Sequence, residues 1–407
     1  MQGFFSATEL ASAAPAGCHS CGLFYTCKSP KMAPSGKGEK RIMIVAEAPG
    51  EDEDMRGQQL IGKAGQKLRE TLRKFDVDLD RDCRKLNSVN CRPPKNRPPT
   101  PAEMTACRPM VMREADEFGP HLVILLGQSA ITSWMGHRYR DEGGSPALSR
   151  IRGHVFPDRE FNCWVLPTFH PSYILRTAHD PVTDLTWRKD LARGMSFLTV
   201  PEPSLPDPVS FIRTTLDPAK TYTFLCRILE RKTAIAVDYE TSGLKPYREG
   251  HFIRSIAVAV TPELSVSFPW YPELSQHKRL NDLWTQILTD PEIEKAVYGD
   301  FEWIWSRVMF GVEPQNMVDV RLRVHLEDCR RGYTPLKLQG MLRYGIIGYE
   351  DEVGRFLKAP RDSGEGENAF NRILQAPVGE LLHYNAEDAL ITIWLRDHYR
   401  KLERNQQ

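Results

Sequence analysis

Apolar and polar positions along the chain form short strand-like runs that alternate with helical patterns, and they do so in both halves. In the first half, Arg41-Ile-Met-Ile-Val-Ala46 is an apolar run leading to Pro49-Gly50. Such a run predicts a buried parallel strand opening onto a loop. Gly62 to Phe75 follows with helical spacing. His121-Leu-Val-Ile-Leu-Leu-Gly127 is a second buried strand, and Asn162-Cys-Trp-Val-Leu-Pro167 a third that ends near His170. In the second half, Thr233-Ala-Ile-Ala-Val-Asp-Tyr-Glu240 is a strand with acids at its end. Phe252 to Val260 reads as its hairpin neighbour, and Leu381 to Leu402 as one long helix. The alternation predicts α/β folds for both halves. Between them lies Pro201-Glu-Pro203-Ser-Leu-Pro206-Asp-Pro208, whose prolines neither continue a helix nor sit in a central strand. The expected organisation is a domain over 1–200, a linker over 201–208 and a second domain over 209–407.

The 407 residues fit two or three domains at about 100–200 residues each. With 41% hydrophobic and 26% charged residues, a disordered chain is excluded. No apolar run approaches the ~18–20 residues of a membrane-spanning helix, and no secretory signal opens the chain. The expectation is a cytoplasmic protein with no membrane partner. A net charge of +1 at first weighs against nucleic-acid binding. That figure is a sum, however: residues 1–200 carry 28 basic and 23 acidic side chains, the remainder 26 and 30.

Six of the nine cysteines lie in the first 107 residues. Without a secretory signal, disulfides explain them poorly. Cys18 and Cys21 form a CxxC, with Cys91 and Cys107 downstream. Four thiolates at such spacing suit zinc or an iron–sulfur cluster, and spacing alone does not choose.

The flanking residues add to this. Ala46-Glu47-Ala48-Pro49-Gly50-Glu-Asp-Glu53 leads to Gly57-Gln-Gln59-Leu60-Ile-Gly62-Lys-Ala-Gly65. Asn87-Ser-Val-Asn-Cys91-Arg-Pro-Pro and Thr168-Phe-His170-Pro171-Ser172 follow in order. These blocks, with the four cysteines, resemble family 4 uracil-DNA glycosylases over residues 15–200. The resemblance implies an α/β/α sandwich carrying a structural 4Fe–4S cluster on Cys18, Cys21, Cys91 and Cys107. Cys27 and Cys83 are spare candidates; Cys163, Cys226 and Cys329 are expected in the core. It also implies that Glu47 and Glu53 lie near the sugar. Asn87 would pair with the base. His170 would donate to the uracil oxygen where charge collects. Tyr173 to Arg176 would enter the duplex after the base is extruded. Two departures stand out. Gln59-Leu60 replaces the usual Pro-Phe, so Leu60 occupies the base-stacking position, and Ala46 replaces a glycine. Uracil excision and a glycosylase fold kept for DNA binding or assembly therefore both stay open. The basic residues Arg81, Arg84, Lys85, Arg92, Lys95 and Arg97 are candidates for phosphate contacts.

The second half carries three acidic blocks. Asp238 and Glu240, two apart on a strand, share one face. Tyr384 and Asp388, four apart on a helix, do so too. Val297-Tyr298-Gly-Asp300-Phe301-Glu302-Trp303 lies between them. Carboxylates without Cys or His suit Mg2+ or Mn2+, and two such ions serve phosphodiester hydrolysis. In this order, the blocks resemble the DnaQ-like (RNase H-like) 3′–5′ exonucleases, and more closely the proofreading domains of family A DNA polymerases. The resemblance, over residues 206–402, implies Asp238, Glu240 and Asp388 as metal ligands, with Tyr384 orienting the attacking water. In the second motif Glu302 takes the acid position, Tyr298 stands where the family has Asn, and Asp300 is the competing ligand. Asp319 is read as structural.

The order of the two domains resembles the N-terminal part of bacteriophage family A polymerases. The chain stops without room for polymerase motifs, so a proofreading subunit partnered by DNA and by a separate polymerase is expected, in the host cytoplasm if phage-encoded. A stand-alone repair enzyme and a non-catalytic scaffold are the alternative classes.

Overall fold

Strands β1 (Ile42–Ala46) and β3 (Leu122–Leu126) are buried at every position. Such unbroken apolar runs belong to strands covered on both faces. The computed structural model describes residues 20–136, 138–139, 146–177, 180–349, 351–359 and 369–404. The chain divides into two units, Met1–Leu205 with Met341–Ile347, and Pro206–Gly340 with Gly348–Gln407.

The first unit is built on a five-stranded sheet, with β2 (Cys83–Asn87), β4 (Phe156–Asp158) and β5 (Cys163–Thr168) completing the order β2-β1-β3-β5-β4. All neighbours are parallel except the β4–β5 pair. Its helices are α1 (Glu51–Arg56), α2 (Lys63–Arg73), α3 (Pro101–Phe118), α4 (Gln128–Met135), α5 (Pro171–Arg176) and α6 (Pro181–Ser196). Ile42, Ile44 and Ile124 pack against Leu68 and Leu72 of α2 and Trp187 and Leu191 of α6. Helix α4 packs on β1 and β3, and α3 on α4. Register pairs Ala46 with Asn87 and Leu126 with Thr168, which brings the carboxyl ends of β1, β2, β3 and β5 to one edge. Chain order reverses at β1, and such an edge at a reversal point is where open parallel sheets bind ligands. Pro201 and Glu202 are tied to this unit: Trp164 Nε1 donates to the Pro201 carbonyl at 2.9 Å, and Arg41 Nη1 pairs with Glu202 at 2.7 Å.

The second unit holds a six-stranded sheet ordered β11-β10-β7-β8-β9-β6. Its strands are β6 (Ile212–Thr214), β7 (Ile235–Thr241), β8 (Ile253–Thr261), β9 (Leu264–Pro269), β10 (Lys295–Val297) and β11 (Met317–Asp319). β7, β8 and β9 form an antiparallel meander; β10 and β11 add in parallel on the β7 side. Helices α7 (Pro218–Arg231), α8 (Lys278–Thr289), α9 (Phe301–Phe310), α10 (Val320–Glu327), α11 (Leu336–Tyr344) and α12 (Val378–Arg404) surround it. Helix α12 packs across β7, β8 and β9 and is buried around most of its middle. Asp319 caps α10, accepting from Arg321 N at 2.8 Å and Gly299 N at 2.9 Å, so it braces the loop before α9. Among the described residues, no helix is long and apolar enough to cross a membrane.

Candidate functional sites

Strand β7 and helix α12 build the site of the second unit. Alternation along β7 turns Asp238 and Glu240 the same way, while the helical repeat turns Tyr384 and Asp388 toward them. Asp238, Glu240 and Asp388 each offer a carboxylate oxygen, and the three oxygens lie within 4.8 Å of one another. Burial raises the Asp238 and Glu240 pKa values well above the usual carboxylate range, and the Asp388 charge adds to it. Asp388 is also raised by burial, though Lys337, Tyr349 and Tyr384 work against the rise. Three carboxylates so close and so poorly solvated repel one another unless a cation lies between them. An all-oxygen donor set of this kind fits a hard divalent ion.

The supporting residues hold the carboxylates in place. Asn385 Nδ2 donates to Asp238 Oδ2 at 2.6 Å, and Ser267 Oγ donates to Asn385 Oδ1 at 3.0 Å. The Tyr349 hydroxyl donates to Asp388 Oδ1, and its ring stacks on Tyr384 with centroids 5.6 Å apart. Neither Asn385 nor Tyr349 stands out in the sequence. Asn385 lies inside the third block without an evident task, and Tyr349 lies in a loop with no periodic signal.

Glu302 and Asp300 are separated by burial. Glu302, in the first turn of α9, is buried, and its Oε2 has no hydrogen-bond partner. Burial pushes its carboxyl up to about 8, assisted by the charges of Asp319, Asp388 and Asp300. Asp300 is exposed at the N-cap position. Glu302 stays outside the set of three carboxylates, although its charge reaches Asp238. Tyr298 is turned to the Thr334 carbonyl at 2.5 Å.

In the first unit the sequence-predicted residues gather at the carboxyl edge of the sheet. Glu47 follows β1 and accepts from Ser129 Oγ at 3.1 Å. Asn87 ends β2, is 1% exposed, and leaves its Nδ2 without a partner. His170 caps α5: its Nδ1 accepts from Ser172 N at 3.2 Å and faces Ser172 Oγ at 2.7 Å. An accepting Nδ1 places the proton of the neutral ring on Nε2. Burial, with the Arg176 charge, lowers the His170 pKa to about 4. Gly127, at φ +88°, lies against His170, and a Cβ there would sit 3.3 Å from the histidine's own Cβ.

Two pocket candidates are engaged elsewhere. Glu53 accepts the Gly50 amide at 2.7 Å and also the amides of Leu60 and Ile61, so it pins the loop after α1. Leu60 is buried in the sheet core at φ +55°. Gln59 is fully buried, bound to the Ala33 carbonyl at 2.5 Å and Ser35 Oγ at 2.6 Å.

Cys21, Cys27, Cys91 and Cys107 share one apolar cluster with Leu23, Phe24, Val89 and Met104. Cys91 lowers the Cys27 thiol pKa within this cluster, and Lys31 N donates to Cys91 Sγ at 3.2 Å. Cys18 lies outside the described residues. A set of thiols in an apolar shell suits an iron–sulfur cluster. Cys83 belongs instead to the sheet core, and Cys163 and Cys226 are buried and half-buried. Cys329 is exposed, which corrects the expectation of core packing: it follows α10 in a surface loop.

Comparison with known proteins matches each unit. Residues 33–191 match the uracil DNA glycosylase superfamily, and residues 214–403 match a 3′–5′ exonuclease family. A type-4 uracil-DNA glycosylase of Thermotoga maritima is 31% identical over 190 residues, 47% of this chain and 94% of that protein. One of Pyrobaculum aerophilum is 35% identical over 182 residues, 43% of this chain and 86% of that protein. A DNA polymerase of Bacillus phage SP01 is 23% identical over 399 residues, 91% of this chain and 41% of that protein. The chain thus joins a glycosylase-type unit to a DnaQ-like 3′–5′ exonuclease domain. Through its first unit it belongs to the type-4 uracil-DNA glycosylase family.

Proposed function

We propose that this protein removes nucleotides from DNA 3′ ends in a metal-dependent reaction that proofreads the product of a DNA polymerase. The observation that carries the reading is the meeting of Asp238, Glu240 and Asp388 within 4.8 Å, from a strand and a helix far apart in sequence. These three would hold Mg2+ or Mn2+, with Glu302 as a further carboxylate beside them. Bound there, the ions would activate water and stabilise the leaving 3′ oxygen. Tyr384, whose ring stacks on Tyr349, would orient that water. Similarity along 91% of the chain to a phage DNA polymerase, 41% of which it spans, supports a polymerase as the partner of this activity. The expected reaction is Mg2+- or Mn2+-dependent shortening of single-stranded 3′ ends. An Asp238→Ala variant that digests as fast as the parent would overturn the assignment.

The glycosylase-type unit supports a second reading, recognition of uracil in DNA. Its observation is Asn87, whose buried Nδ2 has no partner and can donate to a base carbonyl. The neutral His170 presents Nε2–H as a second donor. Cys18, Cys21, Cys91 and Cys107 are the proposed holders of a structural 4Fe–4S cluster, with Cys27 as the competing thiol. Release of free uracil from uracil-containing DNA tests the reading; binding without release would leave DNA recognition as the unit's role.

A further inference from the structure

Asp238, Glu240 and Asp388 crowd the exonuclease site, and the charge of Lys337 reaches all three. Lys337, in the first turn of α11, places its Nζ 5.2 Å from the centre of the Tyr384 ring. Its charge acts on Asp388, Glu240 and Asp238. Asp388 and Glu240 feel it in return as the positive charge that favours their ionised forms. The same Tyr384 ring is backed by Tyr349, so Lys337 and Tyr349 hold that tyrosine from two neighbours. Lys337 itself is half-buried.

A lysine here has two ways to act. As a purely structural counter-ion it would neutralise the acids and stay with them. Divalent ions entering between the carboxylates would take over that neutralisation, and the ammonium would then face cation–cation repulsion. A substrate phosphate arriving with the metals supplies the missing negative charge. An ammonium on a flexible stem can move to it as a point-charge donor.

We propose that Lys337 is a catalytic residue of the exonuclease, its Nζ swinging from beside the Tyr384 ring to bind a non-bridging oxygen of the phosphate at the 3′ terminus. This rests on the exonuclease reading above and adds a substrate contact to it. Burial lowers the Lys337 pKa, and the charges of Asp388, Glu240 and Asp238 work against the fall.

The test uses the full-length protein and Lys337→Met, Lys337→Gln and Lys337→Arg variants. Each is assayed on a single-stranded oligonucleotide with a normal 3′-terminal linkage and on one whose terminal linkage is an uncharged methylphosphonate. Binding of the second is measured where cleavage is slow. Mn2+ binding is titrated separately by calorimetry without DNA. Losing a charged hydrogen bond to the phosphate should lower kcat/KM for Lys337→Met and Lys337→Gln by about ten- to a hundredfold on the normal linkage. The parent's preference for binding the charged linkage should shrink in both variants, and Lys337→Arg should restore part of it. Mn2+ should bind as tightly or more tightly, because a competing cation has gone.

Unchanged kcat/KM in Lys337→Met would overturn the proposal while leaving the exonuclease reading intact. So would an equal loss of affinity on both linkages, or a loss of Mn2+ binding, since each marks a structural role. A parent protein that digests no 3′ end with Mn2+ would overturn both. Thermal melting of each variant separates misfolding from function, and Lys337→Arg becomes the deciding variant if the shorter side chains melt early. Failure of the arginine variant to regain discrimination between the linkages would then overturn the proposal.

Discussion

Asn385 donates to both the side chain and the backbone of Asp238, at 2.6 Å to Oδ2 and 3.2 Å to the carbonyl. The third acidic block therefore fixes the first by a neutral hydrogen bond as well as by sharing a site with it. Asn385 is itself held by Ser267. Replacing it with alanine frees Asp238 to turn and leaves Ser267 Oγ buried without its partner. The expected result for Asn385→Ala is a loss of about 1–3 kcal/mol in urea denaturation. The 3′-end digestion rate should fall at least as steeply, about ten- to a hundredfold at saturating Mn2+, through misplacement of a ligand. A rate that falls only in step with the unfolded fraction would contradict the positioning role.

The crowded carboxylates predict an unusual pH dependence without metal. Glu302 is raised to about 8, and Asp238, Glu240 and Asp388 are raised by burial. A raised acid binds its proton more tightly when folded, so its contribution is fully present below the unfolded pKa and is lost as pH rises. In EDTA, stability should decline from about pH 4.5 toward pH 8, the window set by the Glu302 shift. Lys337 faces the same groups and limits the decline. Mg2+ or Mn2+ should reverse it, because bound cations favour the ionised forms. Melting scans with EDTA and with Mn2+ across that range check both parts; a metal-free protein that gains stability toward pH 8 would contradict the picture.

His170 has the opposite sign. Its pKa is lowered to about 4 by burial, so the folded state binds fewer protons than the unfolded state between about pH 4 and 6.5. Its contribution is present above pH 6.5 and is lost as pH falls. His170→Asn should flatten the acid side of the stability curve. If uracil is released, the rate should show no inflection near pH 6.5 from this residue, since it stays neutral throughout. Asn87→Ala should change stability little, because Nδ2 makes no bond, yet should remove uracil recognition. Fluorescence titration with uracil-containing DNA against the thymine equivalent checks the second part.

Gly65 is set by a close approach rather than by its backbone angle. A Cβ there would meet the Leu60 carbonyl oxygen at 1.8 Å, and Leu60 is itself at φ +55°. Neither backbone can yield without displacing Leu60 from the core. Gly65→Ala should destabilise the first unit by roughly 3 kcal/mol or more, in the range of severe core overpacking. Denaturant titration measures this, and a variant as stable as the parent would show that the loop relocates freely.

Strands β1, β3 and β5 are legible in the sequence because sheets covered on both faces demand unbroken apolar runs. β2 is not: its Cys-Arg-Lys-Leu-Asn carries Lys85, fully buried, whose ammonium is taken up by Asp80. A lysine neutralised by a loop acid looks polar in sequence and behaves as core in the fold. The acids of the exonuclease site are legible because strand and helix periodicity place them on shared faces. Tyr349 and Lys337 stay hidden because they reach the site from α11 and the loop after it, through tertiary contacts alone. Cys329 departs from expectation because nothing local distinguishes an exposed cysteine from a buried one.

The cysteines yield the last prediction. Cys91 and Cys107 lie in one apolar cluster with Cys21 and Cys27. If thiolates hold an iron–sulfur cluster here, Cys91→Ser and Cys107→Ser should lose iron, sulfide and the visible absorbance together. Because the cluster would tie the segment around Cys21 to the loop after β2, its loss should also lower the melting temperature of the first unit. The exonuclease carboxylates contain no sulfur, so Mn2+-dependent 3′-end digestion should survive in both variants. Cys27→Ser separates the two thiol assignments: iron content should persist if Cys18 is the fourth ligand and fall if Cys27 is. Iron and sulfide analysis of the purified variants, set beside their melting curves, decides it. A parent protein purified anaerobically without iron would overturn the cluster altogether.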